Sequence, residues 1–381
     1  MNEMPRIRHL AVSPLPDAED WAALEEQAAE PAFSSMRAWL MAGMAGLPVK
    51  SRPLPVVALD DRGAPVALCG IAQGARWNKE WPQVATPRWT SFFCHGVPLI
   101  DGRDPQAAVA ALLQTLAEGG TRVAFFPSVT RRGPFMKGLA ACATEMGLRL
   151  RILDVWQRAA LDATLTEETW WRGQIRRRRR KEWQRLKRRL QERGKTSFEI
   201  LQAEDDPRPW IEDFLTLEAS GWKGRAGTAL LKERGLAAFT RQALIALHAE
   251  GRLRFWRLRH AGRTIASLFA MLHLRTLVLG KIAYDETMAA YSPGVLLTIE
   301  ATREILADPA VDWADSCAIP GHPMIDHLWK QRLEMADVLI TLPGSHAGFA
   351  TGLALAVEGR YHARRWLKTA WHRWRRILPH R

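Results

Sequence analysis

The strongest constraint on this chain is that part of it occurs twice. Residues 56–71, VVALDDRGAPVALCGI, align without gaps on residues 255–270, FWRLRHAGRTIASLFA, at an offset of 199. Each copy runs from an apolar stretch through a polar turn into a second apolar stretch, with glycine at the same place in both turns (Gly63, Gly262) and Ala67 over Ala266. Two apolar runs around a Gly-bearing turn read as a β-hairpin. A second match follows at an offset of 188, where residues 104–126 lie over residues 292–314 and pair Pro105 with Pro293. Proline is tolerated in the first turn of a helix, so both segments read as a helix leading into a strand. Each half is therefore hairpin, strand, loop, helix, strand. A repeat near 190 residues is a domain duplication, because solenoid periods are far shorter. The 381 residues suffice for two α/β domains with real cores.

What lies outside the repeat is basic. Residues 172–195 hold 13 Lys and Arg against 2 acidic residues, and residues 360–381 hold 8 against none. Removing their combined +19 from the chain's +14 leaves about −5, so the folded body is mildly acidic and polyanions should meet these two segments first. Hydrophobic residues at 47% and charged residues at 25% exclude wholesale disorder.

The four cysteines, Cys69, Cys94, Cys142 and Cys317, show neither CxxC nor disulfide-rich spacing and read as reduced and structural. The first twenty residues carry Glu3, Asp17, Glu19 and Asp20 and no apolar core of a secretion signal. The apolar tract at 348–357 is about half of the roughly 20 residues that cross a bilayer. These features predict a cytoplasmic protein without a membrane span. Seventeen Trp against three Tyr, with Trp77, Trp81 and Trp89 crowded together, fit sugar stacking and ordinary packing equally.

The chemistry concentrates in residues 277–304. Residues 277–285 alternate as a strand, with Leu277, Leu279, Lys281, Ala283 and Asp285 on one face and Val278, Gly280, Ile282 and Tyr284 on the other. Lys281 thus sits among apolar neighbours, where it needs an anionic partner, a depressed pKa or an edge from which to reach water. Ser292, Pro293 and Gly294 then open a helix with Leu296, Ile299 and Leu306 near one side. Free amides at a helix N-terminus form an anion site, and glycine lets a pyrophosphate approach the backbone. Ser as cap and Pro at the first position also begin ordinary helices.

Strand, Gly-containing turn and helix in this order resemble the acyl-CoA-binding element of the GNAT acyltransferases. FLTLEASGWKGRAGTAL (214–230), KIAYDETMAAYSPGVLL (281–297) and DSCAIPGHPMIDHLW (315–329) together resemble the CelD/BcsL-like acetyltransferases named for cellulose biosynthesis, which are related to the tandem-GNAT Fem transferases. The resemblance is strongest over residues 164–342. It implies an α/β (α+β) fold of two tandem GNAT-like domains with mixed sheets: a degenerate first domain over 1–165, a basic linker helix over 166–195, a GNAT acyltransferase domain over 196–345 and a basic Trp-rich tail helix over 346–381. The first copy, GVPLIDGRDPQ, lacks the Tyr-Ser-Pro-Gly pattern, so only the second domain is expected to bind acyl-CoA.

The implied reaction is direct attack of an amine, or a hydroxyl, on a thioester held where two parallel strands splay apart, with no metal. It requires phosphate anchoring, an oxyanion donor and a proton route. Anchoring falls to Ser292, Pro293 and the amides of Gly294, Val295 and Leu296. Glu218 is the candidate base, beside the GWKG loop that brings Trp222 and Lys223 to the site. Asp285 is placed to bind an acceptor amine and Tyr291 to protonate the leaving thiolate. Lys281, Asp315 and His322 complete a candidate acceptor pocket. His322 and His327 have metal-capable rings but no third cluster beside them, so they read as packing and capping.

Residues 170–191 read as a charged helix with a stripe of Trp171, Ile175, Trp183, Leu186 and Leu190, docked on the protein by that stripe or presenting arginines to an anionic acceptor, CoA phosphate or RNA. The tail interleaves Trp366, Leu367, Trp371, Trp374 and Leu378 with Lys and Arg, which suits an anionic membrane surface or packing on the second domain. The leading expectation is a transferase using acetyl-CoA or a longer acyl-CoA as co-substrate, acting on a small-molecule or glycan-precursor acceptor, such as an envelope or exopolysaccharide precursor, at the inner membrane periphery. The alternatives are a Fem-like enzyme using aminoacyl-tRNA, which a pI near 10.2 accommodates, and a non-catalytic partner of polysaccharide assembly.

Overall fold

The computed structural model describes residues 14–72, 83–87, 95–344 and 346–377. Trp77, Trp81, Trp89, Cys94, Leu378 and the first 13 residues lie outside them. The first half contains α1 (Ala18–Glu26), α2 (Arg37–Gly46), β1 (Pro53–Leu59), β2 (Pro65–Ala72), β3 (Val84–Ala85), β4 (Leu99–Ile100), α3 (Pro105–Glu118), β5 (Val123–Thr130), α4 (Pro134–Glu145) and β6 (Leu150–Asp162). After α5 (Arg177–Gln191), the second half runs β7 (Thr196–Ile200), α6 (Arg208–Ser220), α7 (Trp222–Arg225), α8 (Leu236–Ala249), β8 (Leu253–His260), β9 (Arg263–His273), β10 (Thr276–Tyr284), α9 (Pro293–Ala307), β11 (Trp313–Asp315), α10 (Ile325–Leu328) and β12 (Gln331–Thr341). The chain closes with α11 (Ala347–Ile377).

The repeat seen in the sequence is a structural repeat. β1 and β2 form one antiparallel hairpin and β8 and β9 the other, and the matched turn glycines both adopt positive φ (Gly63 82°, Gly262 78°), which costs glycine nothing. Pro105 and Pro293 each begin a helix that leads to a strand, β5 or β11.

The halves do not end where the repeat suggests. One nine-stranded mixed sheet runs in the order β3-β5-β12-β6-β11-β10-β9-β8-β7, while β1-β2-β4 form a separate three-stranded sheet. β12, from the end of the second half, inserts antiparallel between β5 and β6 of the first, and β6 pairs in turn with β11. Strand pairing thus links segments on either side of residue 165 and ties β12, within the span 196–345, to the first half, because pairing between distant segments leaves no local mark in the sequence. His273 adds a seam: its Nδ1 accepts from the Ala32 amide at 2.9 Å and its Nε2 lies 3.0 Å from the Glu25 carbonyl. Burial pulls its pKa down to about 4, so the ring is neutral and Nε2 is the donor.

The basic connector is two pieces, not the single helix expected over 170–191. A π-helical turn spans Thr169–Gln174, Ile175 is extended, and α5 starts at Arg177. In one continuous helix Trp170 and Ile175 would point about 140° apart, and the break allows both to be buried. Trp183, Leu186 and Leu190 follow them into a core with Leu296, Leu297 and Ile299 of α9. At roughly 1.5–3 kcal/mol for each large apolar side chain removed from water, this stripe fixes the connector to the second half despite its charge.

The tail is a helix of 31 residues, about 46 Å long. Ala354 and Val357, spaced to share a face, are buried against Val123, Phe125 and Leu339, and Tyr361 donates to the Asp337 carboxylate at 2.7 Å. Trp366, a turn further on, is 70% exposed. Among the described residues no helix is long and apolar enough to cross a membrane.

Candidate active site

β10 and β11 are parallel neighbours over three residue pairs only, Thr276 with Trp313, Leu277 with Ala314 and Val278 with Asp315. Beyond Val278, β10 continues on β9 to Tyr284 while β11 ends and turns away. Cys317 takes φ 49°, and its amide donates to Asp315 Oδ1 at 2.8 Å. The gap between the parting strands is a cleft of about 610 Å³. Leu279 to Ile282 and Tyr284 line one arm and Ser316 to Ala318 the other, with the first turn of α9 and residues 322–325 closing the end.

Gly280 makes this geometry. The β10–β9 register shifts between Leu279 and Lys281, so Gly280 is an extra residue in a bulge, and a Cβ there would stand 2.1 Å from the Phe269 ring. The bulge corrects the strict alternation read from the sequence. Lys281 pairs with Phe269 and shares a face with Val278 and Ala283, opposite Leu277, Leu279 and Ile282. A lone glycine inside a strand pattern is itself a bulge signal and could have revealed this.

On that face Lys281 has an anionic partner, one of the three options its position allowed. Its Nζ lies 3.9 Å from Glu218 Oε1, which also accepts from Lys223 Nζ at 3.0 Å, while Oε2 accepts from the Leu230 amide at 2.9 Å. Glu218 is 3% exposed and does not line the 610 Å³ cleft, whereas both lysines do. The carboxylate expected as a base is instead the counter-ion of two ammonium groups, with both oxygens engaged.

The α9 corner opens on the cleft through Ser292, Pro293, Gly294 and Val295. The Val295 and Leu296 amides, expected to be free, donate to the Ser292 carbonyl at 3.0 and 3.1 Å, and Leu296 points into the core. Ser292 adopts φ 50°, a left-handed conformation costing about 1–2 kcal/mol for a residue with Cβ, and its hydroxyl does not cap the helix. The turn leaves the Gly294 amide and the Ser292 hydroxyl for an anion, at the positive end of a fifteen-residue helix. A Cβ at Gly294 would meet the Tyr284 ring at 3.4 Å, so a larger side chain must occupy the cleft.

The other expected residues divide. Trp222 lines the cleft at 56% exposure, at the start of α7, a single helical turn where the sequence suggested a loop, and the Glu286 carboxylate accepts from its amide at 2.7 Å. The Arg225 guanidinium holds the Glu286 carboxyl below the usual range. His322 lines the cleft and receives the Met324 and Ile325 amides on Nδ1 at 3.3 and 3.5 Å, while burial lowers its pKa. That leaves the proton on Nε2 and makes it a donor. His327 Nε2 lies 2.8 Å from Arg179.

Three assignments do not fit the geometry. Tyr291 is buried beneath Arg189 and Arg193, with guanidinium carbons 5.9 and 5.7 Å from its ring centre, and is absent from the cleft; Tyr284 is the cleft's phenol. Asp285 caps the 3-10 turn at Glu286–Tyr291 by accepting from the Thr287 amide and hydroxyl at 2.9 and 2.6 Å. Asp315, 1% exposed, pairs with the buried Arg158 of β6 and lies 3.9 Å from His95 Nε2. It joins the halves rather than an acceptor. Ser316, Cys317 and Thr298 also line the cleft; in the sequence Ser316 and Thr298 carry no role and Cys317 reads as structural, with only the nearby end of β11 and start of α9 to mark them.

These features agree with the similarities to known proteins. The family model for the acetyltransferase (GNAT) domain matches residues 177–318, which include both strands of the cleft, α9 and the GWKG segment but not residues 322–325. No curated protein matches the chain in sequence. Among solved structures, it is similar to FemX at 9% identity, covering 91% of this chain and 99% of that one, with a TM-score of 0.56. It is also similar to the C-terminal domain assigned to a lysylphosphatidylglycerol synthetase of Agrobacterium fabrum (16% identity, 90% and 97% covered, TM-score 0.53). A conserved protein of unknown function from Bacteroides thetaiotaomicron gives 14% identity, coverage of 86% and 99%, and a TM-score of 0.52. At such identities the likeness is one of fold: a GNAT-type acyltransferase fold in a tandem arrangement.

Proposed function

We propose that this protein transfers an acyl group from a CoA thioester to an amine or hydroxyl acceptor. The observation that carries the reading is the parting of β10 and β11 beside the first turn of α9. Among the described residues β10 has no strand partner on its cleft side beyond Val278, so its backbone can pair with an extended ligand, and the turn offers the Gly294 amide and Ser292 hydroxyl to a diphosphate. The donor supplies an activated carbonyl. The acceptor nitrogen or oxygen bonds to that carbon, the C–S bond breaks, the acceptor loses one proton and the sulfur gains one. Tyr284 takes the proton-returning role first assigned to Tyr291, and His322 Nε2–H serves as a hydrogen-bond donor. Isothermal titration of the full chain with acetyl-CoA should give saturable binding, and an absence of heat at millimolar ligand sinks the reading.

An aminoacyl-tRNA donor is the second reading, favoured by the exposed face of α5, where Arg177, Arg178, Lys181 and Arg185 border one shallow groove. It requires tRNA affinity that falls steeply with salt. The acceptor suggested by the CelD/BcsL resemblance, an exopolysaccharide precursor, and a role for residues 360–381 on an anionic membrane belong to the same proposal. Deleting those residues should then abolish binding to phosphatidylglycerol vesicles.

A further inference from the structure

The basic connector runs antiparallel to α9. The Arg303 guanidinium of α9 stacks over Trp171, 5.2 Å from its ring centre, Lys187 Nζ donates to Glu300 at 2.5 Å, and Tyr291, just before the helix, lies under Arg189 and Arg193. The last turn of α5 therefore arrives beside the corner that opens α9, and Leu186 and Leu190 hold it there from the core side. Arg189 in that turn and Arg193 just past the helix end are both exposed, with guanidinium carbons 5.9 and 5.7 Å from the one tyrosine ring. A tyrosine face attracts a guanidinium without neutralising it, so the stack fixes two positive charges one residue from Ser292.

The turn before α9 has two sides. Ala289 and Ser292 line the cleft, whereas Tyr291 between them is buried against the connector. With the donor's diphosphate at the α9 corner and its thioester arm along β10, as proposed above, the nucleotide end of the carrier leaves on the side away from the cleft, where α5 ends. CoA bears a phosphate monoester there, on the ribose 3′ oxygen, with about two negative charges at neutral pH. Guanidinium groups suit such a group, because their forked N–H donors match phosphate oxygens in pairs. From this juxtaposition we infer that Arg189 and Arg193 form a subsite for the 3′-phosphate of the donor's ribose, by which the connector favours a free CoA thioester over a carrier that bears only 4′-phosphopantetheine. The inference rests on the acyl-CoA reading and deepens it by naming the part of the donor that the connector holds.

The test titrates the full chain with CoA and with 3′-dephospho-CoA, which lacks only that phosphate, at about 0.15 M salt, where exposed charges more than about 8 Å apart are largely screened. Wild type should bind CoA about tenfold or more tightly than dephospho-CoA, as expected of hydrogen bonds between charged groups. In the double variant Arg189→Met with Arg193→Met the two ligands should bind alike, through loss of CoA affinity alone, and the retained dephospho-CoA binding shows that the variant has folded. Arg188→Met removes an exposed charge from the same helix turn, one paired with Glu192, and should keep the preference. Equal affinities in wild type, a preference that survives the double variant, or one lost equally in Arg188→Met overturns the subsite and leaves the donor reading standing. A double variant that weakens both ligands alike at an unchanged melting temperature also overturns it, by assigning the arginines to the diphosphate. If neither ligand binds wild type, the acyl-CoA reading fails and this inference with it.

Discussion

The N-termini of α3 and α9 hold matching places in the two copies and are finished in opposite ways. At α3 the chain fills the corner itself. Asp104 accepts from the Ala107 amide at 3.0 Å, Asp101 is tied to Arg103, and residues 27–29 pair along β4, with Gly102 N–H to Gln27 O at 2.8 Å and Ala29 N–H to Ile100 O at 2.9 Å. A Cβ on Gly102 would stand 2.5 Å from the Gln27 carbonyl. At α9 there is no carboxylate cap, the neighbouring strand edge is open, and Ser292 carries backbone strain. A carboxylate at a helix N-terminus takes the place of a bound anion. The duplication therefore left one corner filled by the chain itself and the other without a carboxylate cap, the corner that the proposed reading gives to the ligand, and Ser292 there carries backbone strain.

The comparison can be broken in several ways. If the first half serves chiefly as scaffold, cutting its tie to the cleft should cost most: Arg158→Met leaves Asp315 buried without its ion pair and should lower stability by about 3–5 kcal/mol in urea unfolding. A smaller loss would mean the halves hold together without it. The next effect contrasts two buried groups. Burial raises the Glu30 carboxyl to about 7 and lowers His273 to about 4. A raised carboxyl pKa adds stability as pH falls from 7 to 4.5, whereas the depressed histidine loses stability as pH falls from 6.5 to 4, so the two oppose each other in the wild type. Glu30→Gln should expose the histidine, becoming less stable relative to wild type by about 3 kcal/mol over that range in melts followed by circular dichroism. A pH-independent difference would refute the assignment.

Smaller effects sharpen the contrast between corners. Ser292→Ala should weaken acetyl-CoA binding about tenfold, the loss of one hydrogen bond to a charged group. Asp104→Ala should cost about 1 kcal/mol of stability, as lost caps do, and leave acetyl-CoA affinity unchanged. Equal effects of the two variants on affinity would make the corners alike.

Much of this was legible in the sequence because it is local. Turn glycines, helix-opening prolines and the apolar stripe of α5 are short-range patterns, and the duplication gave the first two a second reading. What escaped was set by contacts between distant residues. Nothing near residues 331–341 says that they enter the first half's sheet, and nothing near Asp315 says that Arg158 waits beside it. Tyr291 and Tyr284 differ by seven positions, yet the bulge and the 3-10 turn send one under the arginines of the connector and the other to the cleft. For Lys281 an anionic partner was one of three options in the sequence, and Glu218 was placed at the site, but only the Gly280 bulge puts them on one face.

The most direct measurement is the stoichiometry of acetyl-CoA binding to the full chain, in wild type and in Gly294→Trp. One molecule per chain, with affinity reduced at least a hundredfold by the tryptophan while the melting temperature holds, is the predicted result. Two molecules per chain, or binding that survives the tryptophan, would contradict a single open corner at α9.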